Sequence, residues 1–97
     1  MSYDMSLGEE EFNYTYNVAK MWYDCFPVYG IREIYGLSGE EAVAALRELR
    51  EHMEDNRTRM IAMEPSNGWG SYSGALGFVN KLILASLEAP EEVWRGD

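Results

Sequence analysis

Between Ser71 and the Ala89-Pro90 step the chain carries its broadest apolar stripe. Tyr72, Leu76, Val79, Ile83 and Leu87 recur at three- and four-residue spacing, and Ala75, Phe78 and Leu82 widen the face they form. A helix this apolar must be covered on more than one side, so the spacing predicts a central helix with the rest of the chain folded around it. Ser71 is placed as its N-cap, and Pro90 ends it. Gly70, Gly74 and Gly77 weaken such a helix by about 1 kcal/mol each relative to Ala wherever they fall inside it. Their spacing predicts that they clear room for a second helix or an aromatic ring.

The same 3.6 period appears earlier. Val18, Met21, Trp22, Cys25 and Phe26 share one helical face, with Asn17 as the expected N-cap and Pro27 as the stop. A short helix is expected over 29–35, closed by Gly36. Ser38-Gly39-Glu40-Glu41 reads as a capping box, in which the serine hydroxyl and the glutamate side chain each take the other's backbone N–H. The helix that follows turns Ala42, Leu46, Leu49 and Met53 inward, and its pattern falters at Asn56 before a short turn of helix to Met63. Asp55 and Arg59 are spaced as an ion pair on one helix face.

Ahead of Asn17 the period is 2. Phe12, Tyr14 and Tyr16 alternate with Glu11, Asn13 and Thr15, the pattern of a short strand. A strand cannot stand alone, because its N–H and C=O groups need partners. The expected partner is the segment 91–95, carrying Val93 and Trp94, and residues 1–10 are read as a mobile acidic arm. The fold expected is therefore mainly α: one domain over 1–97, a bundle of four to five helices, with the two terminal segments paired as strands.

Charge is unevenly placed. The net charge of the 97 residues is −9, and seven of the nine excess negative charges lie in residues 1–12 and 88–97. No basic patch is visible, which disfavours direct nucleic-acid binding. The single cysteine, Cys25, excludes an internal disulfide. The opening Met1-Ser2-Tyr3-Asp4 lacks the basic-then-apolar pattern of a signal peptide, and the longest apolar run is too short to span a bilayer. A soluble protein of the cytoplasm, with no membrane partner, is expected.

Catalytic parts are sparse. His52 is the only histidine and is read as a surface residue without a neighbouring nucleophile. Glu40-Glu41 and Glu54-Asp55 are adjacent pairs, and adjacent helical positions do not face one another. One Cys, one His and no spaced acidic loop argue against a metal, and no cofactor motif is present. Cys25 is read as a small core residue. Three features keep two readings each. The segment Asn13-Tyr14-Thr15-Tyr16-Asn17 is a pocket wall or a strand end. Trp69 and Tyr72, in Asn67-Gly68-Trp69-Gly70-Ser71-Tyr72, are core lids or contact residues. Met53, Met60 and Met63 are core filler or an adaptable binding face.

The strings N-Y-T-x-N-x-x-x-M-W (Asn13 to Trp22) and N-G-W-G-x-Y (Asn67 to Tyr72) resemble a family of small uncharacterised proteins from bacteria and their phages. The likeness covers roughly Phe12 to Val93. This chain departs from it in its aromatic connector, Asp24 to Tyr29. The resemblance implies phage or mobile-element origin and action inside a bacterial host cell; it brings no activity. In character such a chain is similar to anti-defence proteins, including inhibitors of CRISPR nucleases. The expected function is thus non-enzymatic: binding and blocking a host or defence protein that has a basic nucleic-acid-binding surface. Glu9, Glu10, Glu11, Glu91 and Glu92 would supply charge in imitation of a nucleic acid, and Tyr14, Trp69 and Tyr72 the anchors. Two alternatives stand beside it: a nucleotide-type small-ligand module, with Asn13–Asn17 and Asn67–Tyr72 meeting over one pocket, and a structural helical oligomer.

Overall fold

Tyr3, Met5 and Leu7 occupy alternate positions, and that short alternation decides the start of the fold. In the computed structural model, which describes residues 2–97, all three are buried on strand β1 (Ser2–Leu7). The chain reverses through Gly8-Glu9 and returns as β2 (Glu10–Thr15), with Ser2 opposite Thr15 and Leu7 opposite Glu10. A two-residue hairpin loop needs positive φ, and Gly8 supplies it at +61°. A third strand, β3 (Trp94–Gly96), adds to the far side of β1, giving the order β2-β1-β3, antiparallel throughout.

Two expectations are corrected here. Residues 2–7 of the expected acidic arm form the central strand of the sheet. The segment around 11–16 does not pair with 91–95, because β1 lies between them. Strand β2 does pair, as its N–H and C=O groups require, but with the strand just upstream. The fold is accordingly a mixed α and β one, with a three-stranded sheet packed on helices, and the expected mainly α bundle with its paired terminal segments is set aside.

The helices follow their sequence signals more closely. A 3-10 turn (Tyr16–Val18) leads into α1 (Ala19–Cys25), which buries Met21 and Trp22. Asn17, the expected cap, lies inside the 3-10 turn, which Thr15 caps: the Thr15 Oγ1 accepts from the Asn17 backbone N–H at 3.3 Å and from Asn17 Nδ2 at 2.9 Å, and α1 itself has no side-chain cap. A second 3-10 turn covers Gly30–Ile34. Helix α2 (Gly39–Asp55) opens with both bonds of the capping box, Glu41 N–H to Ser38 Oγ at 3.2 Å and Ser38 N–H to Glu41 Oε1 at 2.9 Å. The short α3 (Arg57–Ile61) follows the break at Asn56. The expected Asp55–Arg59 pair does not form, since Arg59 turns to Asp24 and to Asn56 Oδ1.

Helix α4 (Tyr72–Glu88) is the centre of the molecule and packs along α2. Ser71 caps it, accepting from Gly74 N–H at 2.9 Å. Tyr72, Ala75, Phe78, Val79, Leu82 and Ile83 are buried, whereas Leu87, placed inward by the sequence pattern, is 51% exposed. The buried face also holds a polar residue, Ser86. Its hydroxyl donates to the Leu82 carbonyl at 2.7 Å and accepts from Trp94 Nε1 at 3.0 Å, tying β3 to α4. Leaving either group unpartnered in this fully buried place would cost about 1–3 kcal/mol.

Candidate functional site: the two ends of the hairpin

The hairpin turn gathers acid. Gly8 sits against the Glu92 side chain, and Ser6, Gly8, Glu91, Glu92 and Arg95 share one surface hollow. Glu10 and Glu88 line the neighbouring hollow with Lys81. The start of α2 joins them, because Gly39 N–H donates to the Glu92 carbonyl at 2.8 Å and Glu40 N–H to the Pro90 carbonyl at 3.0 Å. That approach needs glycine: a Cβ at Gly39 would run into the Ser86 and Ala89 carbonyl oxygens. One pole therefore carries Glu9, Glu10, Glu40, Glu41, Glu88, Glu91 and Glu92, all exposed, with Arg95 and Lys81 beside them. Hydrogen bonding to the Ser38 N–H and hydroxyl holds the Glu41 carboxyl below its ordinary range, so it stays charged. Glu11 lies one residue further along, on the solvent face of the sheet opposite Ser6.

At the other end of β2, five strand steps or about 17 Å away, charge gives way to neutral polar groups. Asn13, Tyr14, Thr15 and Asn17 line a groove of about 620 Å³ together with Asn67 and Trp69, and Ser2 closes its rim. Trp69 is 68% exposed. Its turn is fixed from both sides: Asn67 Oδ1 accepts the Trp69 N–H at 2.9 Å, and Gly68 and Gly70 take φ of +80° and +99°. A Cβ at Gly70 would collide with the Thr15 and Val18 side chains, so only glycine lets the turn seat against the end of β2. Tyr14 stacks on Phe78, ring centroids 5.3 Å apart, and its hydroxyl accepts from Ser71 N–H at 3.4 Å. Gly74 makes the room that this ring needs, as its spacing suggested.

The residues proposed as one binding face are thus divided. Glu9, Glu10, Glu91 and Glu92 meet at the acidic pole. Tyr14 and Trp69 meet at the opposite end. Tyr72 belongs to neither: it is 6% exposed, and its hydroxyl donates to the Met53 carbonyl at 3.0 Å inside the core. Glu40 and Glu41, absent from the sequence-level candidates, join the acidic pole through tertiary contact alone. Met53 and Met60 are fully buried core residues, and Met63 packs partly against the core.

A third cluster escaped the sequence reading. His52 Nε2 lies 2.7 Å from Asp24 Oδ2, and Arg59 bonds the same oxygen. Asn56 braces it, donating to the His52 carbonyl at 2.8 Å and accepting from Arg59 at 3.0 Å. The Arg59 guanidinium, and after it His52, hold the Asp24 carboxyl below its ordinary range. The cluster clips the end of α1 to α2 and α3. The neighbouring Cys25 is only partly buried, and burial, with Glu48 and Asp24 nearby, pushes its thiol up to about 11, the opposite of an activated nucleophile.

Among the described residues no helix is long and apolar enough to cross a membrane. Compared with protein-family models, curated proteins and solved structures, the chain finds no match in any of the three.

Proposed function

We propose that this chain is a non-enzymatic interaction protein of phage or mobile-element type. It binds a host or defence protein of the bacterial cell and blocks that protein's basic nucleic-acid-binding surface. One observation carries the reading: three separate parts of the chain, the hairpin turn, the start of α2 and the segment after α4, bring their glutamates to a single pole. The C-terminus of α4 lies at this pole, and carboxylates there oppose the helix dipole. Such crowding weakens the fold and strengthens the field outside it. A field of one sign speeds encounter with an oppositely charged groove and falls away with salt.

Affinity capture from a bacterial lysate tests the reading. The expected prey is a nucleic-acid-binding protein that salt elutes and duplex DNA displaces. A quadruple variant, Glu9→Lys, Glu10→Lys, Glu91→Lys and Glu92→Lys, should fail to retain it. Undiminished capture by that variant would remove the acidic pole from the mechanism.

A further inference from the structure

We infer that the groove under Trp69 is a second, independent binding site, for an uncharged ring-shaped ligand with one apolar face and a hydroxyl- or amide-bearing edge. A neutral sugar and a free nucleoside both answer to that description. The indole is the platform: it stands 68% exposed, yet its backbone is held by the Asn67 bond and by two left-handed glycines. A large apolar ring kept in water on a braced turn gains free energy when a flat partner covers it, and both sugar faces and bases stack on such a ring.

The groove also supplies an edge to read. Asn13, Asn17 and Asn67 each bring an amide NH2 that donates and a carbonyl oxygen that accepts. Asn17 Nδ2 is engaged by Thr15 and Asn67 Oδ1 by the Trp69 N–H, which leaves Asn17 Oδ1 as an acceptor and Asn67 Nδ2 as a donor. Among the described residues, Asn13 has no side-chain partner, so both its groups face the groove or solvent. A few placed polar groups beside an aromatic wall are the usual make-up of a small-molecule site.

Neutrality follows from the lining. Among the described residues, no charged side chain borders this groove. Lys20 lies in an adjacent hollow, where Glu64 accompanies it. With a net charge of −9 on the chain, nothing here would repay the dehydration of a phosphate. The nucleotide reading made from sequence therefore narrows to the uncharged part of such a molecule.

Trp22 and Trp94 are fully buried, so acrylamide quenching of tryptophan emission reports chiefly on Trp69. The full-length protein should be titrated with maltotriose, chitotriose, adenosine, guanosine, cytidine and adenosine 5′-monophosphate. Saturable protection of Trp69 by the sugars or by the nucleosides is expected, and which set protects identifies the source. Trp69→Ala should abolish calorimetric binding of the protecting compound. Asn13→Ala should weaken it at least about fivefold, in keeping with the loss of a neutral hydrogen bond. Failure of every compound to protect at 10 mM, tighter binding of the monophosphate than of adenosine, or unchanged binding by Trp69→Ala would each overturn the assignment. The lysine quadruple variant should bind the same compound normally, so failure at one end leaves the other end's result intact.

Discussion

The two ends of the β1–β2 hairpin differ in how their properties are made. At the turn, charge is collected from distant parts of the chain onto exposed glutamates, with no exposed aromatic group among the described residues there. At the open end, Trp69, Asn17 and Asn67 are held by hydrogen bonds, and Gly70 and Gly74 leave no room for a Cβ. A field needs sign and density but little precision. A groove needs fixed geometry and no net charge. One small sheet thus keeps a charged surface at one end and a neutral groove at the other.

Substitutions that damage one end and spare the other would sharpen this contrast. The largest effect is expected for Trp94→Ala, which empties a fully buried indole site and frees β3 from Ser86. A loss of about 3–5 kcal/mol is expected from urea unfolding, because large-to-small core changes leave a cavity. The acidic pole should come apart with it. Gly70→Ala comes next, at about 1–3 kcal/mol, from a side chain forced into the left-handed region and against Thr15 and Val18. Its quenching profile should show Trp69 released, while the acidic pole stays intact. An unchanged profile would mean that the turn does not depend on its seat against β2.

Smaller effects follow. Ser38→Ala removes the hydroxyl half of the capping box beside the acidic pole and should cost about 1 kcal/mol in urea unfolding. The Asp24 clip belongs to neither end and serves as a control. Its folded-state pKa is depressed, so its contribution is full above the ordinary carboxylate range and is lost as pH falls through the lowered value. Asp24→Asn should therefore be less stable at neutral pH and lose less on acidification, as followed by circular dichroism. Last, Glu91→Lys with Glu92→Lys relieves repulsion at the end of α4 and should raise the urea midpoint at low salt. That gain should vanish near 1 M salt; its persistence there would show the repulsion to be unimportant.

What the residues announced and what they hid divide along the same line. The capping box at Ser38, the cap at Ser71 and the break at Asn56 are local, carried by side chains within a few residues, and each stands where its signal lies. Strand β1 was missed because Asp4 and the flanking polar residues masked the alternation of Tyr3, Met5 and Leu7. Asn17 does not cap α1 because a 3-10 turn, itself capped by Thr15, precedes the helix. The groove motifs stood out as strings, but their meeting depends on Gly70 and Gly74 admitting Thr15, Val18 and Tyr14. Nothing local to Glu40 or Glu41 says that Pro90 and Glu92 fold back onto them. The His52–Asp24–Arg59 clip spans three helices and has no signature along the chain.

The separation of the two ends is open to one direct observation, an amide chemical-shift titration of the labelled protein with a lysine-rich peptide. Shifts confined to Gly8–Glu11, Gly39–Glu41 and Glu91–Arg95, and erased by salt, are predicted, with Asn67–Trp69 unmoved. Shifts centred on Trp69, or surviving at high salt, would contradict the account.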